Sequence, residues 1–298
     1  MIKAEEPQEH TKRRPAPTPI ETAFGCPRDF LDNRFVYVVI SPRAHGLSVG
    51  VNLNPDKHCN FNCVYCEVDR SVPGKDAALD LEVMADELQR TLNFIEAGGL
   101  ATHPRYAGLS SELLKPRHVT LSGDGEPTLC PQFLGAVQTV AHVRAMSRVP
   151  FFKIVLITNA SHLDTPQVLE GLKLFTSHDE IWAKLEAGTQ EHMNRVNVPD
   201  VPLERITQNI LAVARHRPVI IQSLFPLLGE EAPSTPEIEE FAQRLNELKM
   251  AGARIPLVQI YSATRPTFHP QCGHLPLRVL SQIAQTVKAI SGLNAEVF

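Results

Sequence analysis

The chain has 298 residues and a formal net charge of −4, with 43% hydrophobic and 21% charged residues. Its longest unbroken apolar run, residues 35–40, is far shorter than the roughly 20 residues that a membrane-spanning helix needs, and no apolar signal segment precedes it. These values argue against a membrane protein and against salt-driven nucleic-acid binding, and they predict a soluble, cytoplasmic protein.

The chain divides into three predicted regions. Residues 1–30 are charged and proline-rich without an apolar period, and we expect them to form a disordered arm. Residues 31–275 carry the alternating strands and helices of one folded core, in which residues 98–116 form a long loop insertion. Residues 276–298 are predicted to be a C-terminal helix and tail.

Strand and helix patterns alternate in chain order through the core. After an apolar stretch at 35–40, strands are predicted at residues 47–53, 118–121, 153–157, 180–185, 219–221 and 257–261. Helices are predicted within residues 84–95 and 133–143, from residue 165, and within residues 206–214, 235–248 and 279–290. Six strand–helix units predict parallel strands with right-handed crossovers, in a partial barrel or an open doubly wound sheet. Either places function at the carboxyl ends of the strands.

Three of the six cysteines lie within eight residues, directly after the first strand of this series. Cys59, Cys63 and Cys66 are too close together for chance, and a disulfide would leave one thiol over, so they indicate a metal site. A zinc site of three cysteines and His58 is one reading, although His58 is adjacent to Cys59 and no second ligand pair follows. An iron–sulfur cubane held by three thiolates is the other, and it would leave one iron open.

The spacing of these cysteines, three residues and then two, with Tyr65 before the third, resembles the radical S-adenosylmethionine (radical SAM) superfamily. The resemblance extends to a glycine-rich loop, residues 122–129, which contains Gly-Glu-Pro and follows the predicted strand 118–121. It covers residues 47–262 and implies an α/β fold, a partial (β/α)6 TIM-type barrel of parallel strands, with the cysteine loop after its first strand.

The resemblance also implies cofactors and roles for individual residues. Cys59, Cys63 and Cys66 would hold a 4Fe-4S cluster, and its open iron would bind S-adenosylmethionine (SAM). The residues expected to bind the cofactor are Tyr65, Gly123, Gly125, Glu126, Asn159, Lys184 and Gln222. Lys184 interrupts an otherwise apolar strand, so we expect it, or Glu186, to reach the mouth of the barrel. Asp124 replaces a glycine usual in the family, which leaves open which backbone atoms bind.

The activity implied is reductive cleavage of SAM and removal of a hydrogen atom from a substrate, an RNA base or a small molecule, with flavodoxin or ferredoxin as electron donor. Residues 42–53, 122–129 and 184–189 resemble Fe–S oxidoreductases related to the wyosine-forming tRNA enzymes. Those enzymes carry a second N-terminal cluster, whereas only Cys26 precedes the triad here. The alternatives are a non-catalytic zinc- or iron–sulfur-binding protein and an enzyme that activates a protein glycyl radical.

The remaining cysteines and the basic residues near the motifs have simpler interpretations. Cys26, Cys130 and Cys272 lack ligand spacing and are predicted to be buried or free thiols, with a second cluster as the alternative. The basic residues are predicted to be solvated surface side chains, with contacts to a phosphate-bearing substrate as the alternative: Arg43, Lys57, Arg70, Lys75, Arg254 and Arg265.

Overall fold

A computed structural model describes residues 24–25, 27–146 and 149–298 of the chain. Most of the arm predicted at residues 1–30, including Cys26, lies outside the described residues. The strands are β1 (Val36–Ser41), β2 (Gly46–Asn52), β3 (Pro116–Ser122), β4 (Lys153–Thr158), β5 (Glu180–Lys184), β6 (Ile220–Leu224), β7 (Pro226–Leu228), β8 (Val258–Tyr261), β9 (Cys272–His274) and β10 (Ala295–Val297). The α-helices are α1 (Leu81–Glu96), α2 (Gly99–Thr102), α3 (Phe133–Met146), α4 (Pro166–Leu172), α5 (Gln190–Val196), α6 (Leu203–Ala214), α7 (Thr235–Met250) and α8 (Leu277–Ser291).

The main sheet has the strand order β1-β2-β3-β4-β5-β6-β8-β10. β1 pairs with β2 antiparallel, and every later neighbour in this sheet pairs in parallel. The sheet curls into a partial barrel, so the predicted α/β fold of six parallel strand–helix units is confirmed. β7 and β9 form a separate antiparallel pair.

The two faces of the sheet differ in polarity because strand side chains alternate between them. Alternate residues such as Ile154 and Leu156 of β4 belong to the hydrophobic core, which the helices cover. The other face carries polar side chains, for example Gln222 of β6, which lies beside Gln259 of β8. The inner face of the barrel therefore carries buried polar side chains among apolar ones such as Val155.

Helix starts follow local capping signals. The Asp80 side chain accepts hydrogen bonds from the amides of Glu82 and Val83 at the start of α1, and Ser234 accepts from Glu237 at the start of α7. Strands β2 to β6 run parallel, so their carboxyl ends lie at the same edge of the sheet. As a result, the loops after β2, β3, β4 and β5 meet at one edge.

Candidate functional site

The three clustered cysteines lie on the loop between β2 and α1, at the carboxyl end of the first parallel strand. They are half-buried thiols outside any disulfide: Cys59, Cys63 and Cys66. The main chain holds this loop against the end of α5, through bonds from Asn62 N to Asn197 O (3.1 Å) and from Val64 N to Val196 O (2.9 Å). The loop is thus shaped by backbone contacts that do not involve its thiols.

Two N–H donors point at the cysteine sulfurs. Arg70 Nη1 lies 3.4 Å from Cys66 Sγ, and Asn197 Nδ2 lies 3.6 Å from Cys63 Sγ. Burial raises the pKa of the Cys63 thiol to about 12, and it also raises the pKa of Cys59. The charge of Lys184 and the N–H of Asn197 act in the opposite direction on the pKa of Cys63.

The glycine-rich loop after β3 packs directly against the cysteine loop. A Cβ on Gly125 would stand 1.9 Å from the carbonyl oxygen of His58, and Glu126 N donates to that same oxygen at 3.0 Å. Gly123 has a φ of +143°, and a Cβ there would meet Asn52 Oδ1 at 2.0 Å. Both positions thus need glycine because neighbouring loops approach too closely for a side chain.

Glu126 joins the loop after β3 to the end of β4. Its buried carboxylate accepts hydrogen bonds from Thr128 N (3.0 Å), Thr128 Oγ1 (2.7 Å), Thr158 Oγ1 (2.6 Å) and Asn159 N (2.7 Å). These four contacts occupy the carboxylate within the protein. The structure therefore places Glu126 as the residue that fixes the glycine-rich loop, and a cofactor contact for it stays a prediction.

Asn159 is brought to the cysteine loop. Its Nδ2 donates to Asn60 Oδ1 at 2.9 Å, and its Oδ1 accepts from the amide and hydroxyl of Ser161. Asn60, which directly follows Cys59, also donates to Asp200 at 2.7 Å. A chain of amides and hydroxyls therefore lines the edge next to the cysteines, where the sequence predicted a cofactor contact for Asn159.

A largely buried polar network lies beside Cys63 and consists of Lys184, Tyr65, Glu186 and Asn197. Tyr65 donates its hydroxyl to Glu186 Oε2, and Asn197 Nδ2 donates to the same oxygen. Lys184 Nζ lies 3.4 Å from Tyr65 Oη and 4.9 Å from the centre of its ring. Lys184 and Glu186 thus both reach the mouth of the barrel.

Burial and charge oppose each other in this network. Burial raises the pKa of Glu186, while the Lys184 ammonium acts to lower it. Burial alone would lower the pKa of Lys184, but the Glu186 carboxylate and nearby acidic groups raise it above its ordinary value. Lys184 is therefore a partly buried cation at neutral pH. Glu186 Oε1 has no hydrogen-bond partner within the described ranges.

Gln222 lies level with Lys184 in the sheet, since the two residues pair across β5 and β6. Its Nε2 donates to Gln259 Oε1 at 3.2 Å, and the residue is buried. The structure places it on the polar inner face beside the network.

Several residues outside the triad differ from their simplest prediction. Lys57, predicted to be solvated, donates to the carbonyls of Asp69 (2.7 Å) and Val72 (2.8 Å) and so ties down the cysteine loop. The Arg43 guanidinium lies 4.0 Å from the ring centre of Tyr261. Arg265 pairs with Glu67 at 2.9 Å. Cys130 and Cys272 are free thiols, as predicted, with Cys130 buried and Cys272 on β9.

The cysteine loop offers three free thiols as donor atoms. N–H donors lie at two of the sulfurs. A cubane receives each thiolate at a different iron, so these thiols are donors of the kind that a cubane uses. Among the residues that the structure describes, no three His, Cys, Asp or Glu side chains converge on one ion position.

Sequence patterns did not reveal the part played by Asn197. It follows the seven-residue helix α5, which is too short to leave a periodic signal. The available signal was Thr189, an N-cap residue whose side chain accepts from His192 N.

Sequence comparison finds relatives of low identity. No protein-family model matches the chain. A UPF0026 protein of Helicobacter pylori is 24% identical over 273 residues, which cover 85% of this chain and 79% of that protein.

Solved structures show the fold. A radical SAM methyltransferase from Sphaerobacter thermophilus has a TM-score of 0.59 at 16% identity, covering 88% of this chain and 68% of that one. TYW1 with a lysine-pyruvate adduct bound has a TM-score of 0.56 at 14% identity, covering 86% and 84%. SuiB of Streptococcus suis bound to precursor peptide SuiA has a TM-score of 0.56 at 15% identity, and this chain spans 47% of its length while 82% of this chain is covered.

The chain therefore has the fold of radical SAM enzymes, and the resemblance seen in the cysteine spacing is confirmed at that level. TYW1 is among the structures that share this fold. In the described ranges, every helix is too short or too polar to cross a membrane.

Proposed function

We propose that the protein is a radical SAM enzyme in which Cys59, Cys63 and Cys66 hold a 4Fe-4S cluster that binds SAM at its open iron. One observation carries the proposal. On a radical SAM fold, main-chain hydrogen bonds join the cysteine loop to the Gly-Glu-Pro loop on one side, through His58 O, and to the end of α5 on the other. These bonds hold the loop that carries the three cysteines at the carboxyl ends of the strands, where parallel-barrel enzymes place their chemistry.

Held by the three thiolates, the cluster would supply one electron for the reductive cleavage of SAM and so the chemistry for removing a hydrogen atom from the substrate. In this proposal the partly buried Lys184 ammonium pairs with the SAM carboxylate, and Asn159 binds the ribose hydroxyls. Tyr65 packs near the adenine, while Gly123, Gly125 and Gln222 line the cofactor space. Glu126 positions the glycine-rich loop. The protein's task is to hold these groups and exclude water.

We further propose flavodoxin or ferredoxin as the electron donor, and a small molecule or an RNA base as the substrate. SuiB has a precursor peptide bound in its solved structure, so a peptide substrate is an outcome to test alongside these. The polar inner face of the barrel, including Gln222 and Gln259, suits a hydrogen-bonding substrate.

Anaerobic reconstitution tests the proposal. The protein should bind iron and acid-labile sulfide in equal amounts, absorb near about 400 nm, and release 5′-deoxyadenosine from SAM and dithionite. Cys63→Ala should lose both absorbance and product, whereas Cys130→Ala, outside the triad, should keep both. Bound zinc without sulfide would support the zinc-binding alternative. A fully loaded cluster that releases no 5′-deoxyadenosine would contradict the enzyme assignment.

A further inference from the structure

The residue at the end of α5 places its side-chain amide beside the cysteine loop. Asn197 closes this helix, and its backbone N donates to Met193 O at 2.8 Å. Its carbonyl accepts from Asn62 N at 3.1 Å. Asn197 is buried, and both its backbone N–H and its carbonyl are hydrogen-bonded. These bonds fix its Cα, and its side-chain Nδ2 lies 3.6 Å from Cys63 Sγ.

We propose that Asn197 is a positioning residue that donates an N–H hydrogen bond to the Cys63 thiolate of the bound cluster and thereby raises the cluster's reduction potential. This inference rests on the proposed function. It adds a residue 134 positions from Cys63 in the chain, outside the cysteine motif and the glycine-rich loop.

The physical reason is the charge that a cluster gains on reduction. A hydrogen bond to a ligating sulfur stabilises the more negative, reduced state more than the oxidised state, so it makes reduction easier. The effect is larger in a buried site, because water does not screen the amide dipole. Of the two N–H donors, Asn197 is buried, whereas Arg70 approaches Cys66 from a partly exposed position.

Glu186 fixes which end of the Asn197 amide faces the sulfur. The carboxyl oxygen Oε2 of Glu186 already accepts the Tyr65 hydroxyl, and it accepts the Asn197 amide as well. An amide turned the other way would set its oxygen against Glu186 Oε2, and two acceptors would then face each other. The arrangement therefore keeps the NH2 group, and not the carbonyl, near Cys63 and Tyr65, with Tyr65 Oη at 3.3 Å.

The test measures the potential of the reconstituted protein by redox titration followed by EPR. Asn197→Ala should reduce the equilibrium constant for cluster reduction about tenfold, which corresponds to a fall of about 59 mV for one electron. Asn197→Asp keeps the shape, removes the donor and adds negative charge, so its potential should fall further. Asn194→Ala is the matched control, since Asn194 lies on the exposed side of the same helix.

A second measurement needs no variant. In the unaltered protein with asparagine labelled by ¹⁵N on the side-chain amide, pulsed EPR of the reduced cluster should show ¹⁵N coupling. Absence of that coupling would overturn the inference even if both Asn197 variants failed to fold.

The outcomes also separate this inference from the proposed function. If the protein cleaves SAM but the potentials of the two Asn197 variants equal that of Asn194→Ala, the inference is wrong and the enzyme assignment stands. If no cluster assembles in the unaltered protein, the proposed function itself fails.

Discussion

The carbonyl oxygen of His58 lies 1.9 Å from where a Cβ on Gly125 would stand. The same oxygen accepts the Glu126 amide at 3.0 Å. The cysteine loop and the glycine-rich loop are thus locked together one residue before the first cysteine of the triad. Backbone atoms of both loops form this contact.

Gly125→Ala should therefore displace the cysteine loop. The added methyl group meets backbone rather than a flexible side chain, so we expect a loss of about 1–3 kcal/mol in the free energy of unfolding. Iron and sulfide content after reconstitution should also fall. Gly273→Ala is the control, because its new Cβ would find ordinary contacts at 3.4 Å. Full cluster loading in Gly125→Ala would contradict this account of the two loops.

Glu126→Gln should weaken the connection between the loop after β3 and the end of β4. The carboxylate accepts four hydrogen bonds, and a glutamine would set its NH2 group against some of those donors. Unsatisfied buried donors cost about 1–3 kcal/mol, so chemical unfolding should show a loss of that size. Glu170→Gln on the exposed face of α4 should leave stability unchanged. An equal effect in both variants would count against a buried role for Glu126.

His118 gives the protein a pH-dependent stability. Its Nε2 lies 2.9 Å from Ser48 Oγ, and its ring centre is 5.5 Å from that of Trp182. Burial, followed by the charges of Lys153 and Arg43, lowers the pKa of His118 to about 3. An unfolded histidine titrates near about 6.5, so the unfolded chain takes up the proton first as pH falls. The contribution is present above that value and declines by up to about 1.4 kcal/mol per pH unit towards the folded pKa.

Urea unfolding at pH 7 and pH 5 measures this contribution, with fluorescence of the single tryptophan, Trp182, as the signal. The loss of stability between the two pH values should be smaller in His118→Gln than in the unaltered protein. His216→Gln, at an exposed position, should keep the full loss. The same pH dependence in both variants would show that other groups cause it.

Lys184→Met should weaken SAM binding to the reconstituted protein. In the proposed function the ammonium meets the SAM carboxylate, and a hydrogen bond between charged groups contributes about 1.5–3 kcal/mol. The dissociation constant should therefore rise roughly 10- to 100-fold. Calorimetry with SAM measures this, and Lys173→Met, an exposed variant on the surface beside α4, is the control. Unchanged affinity would remove Lys184 from the cofactor site.

The larger elements of the fold were predictable because their patterns are strong. β4 was expected at residues 153–157 and spans Lys153–Thr158, since a continuous apolar run typifies a buried parallel strand. β10, a three-residue strand, carries too few residues to show a period and is defined by its pairing with β8. α5, a helix of seven residues, is likewise too short to show a period.

The site divides in a similar way. The cysteine triad was predicted because its ligands are close in sequence. The contact of Asn197 with Cys63 joins residues far apart in the chain, and single-sequence spacing contains no record of it. Glu126 was expected near the cofactor, yet two of its four hydrogen bonds come from Thr158 and Asn159, and these depend on how two strand ends meet in space.

The cysteine loop owes its shape to backbone bonds at His58, Asn62 and Val64, none of which uses a sulfur atom. Small zinc domains, by comparison, fold only when their metal arrives. Here the contacts that shape the loop are made by the polypeptide itself, so closing them needs no bond from a sulfur atom. Under the proposed function, binding of the cluster and folding of the loop would therefore be separate events.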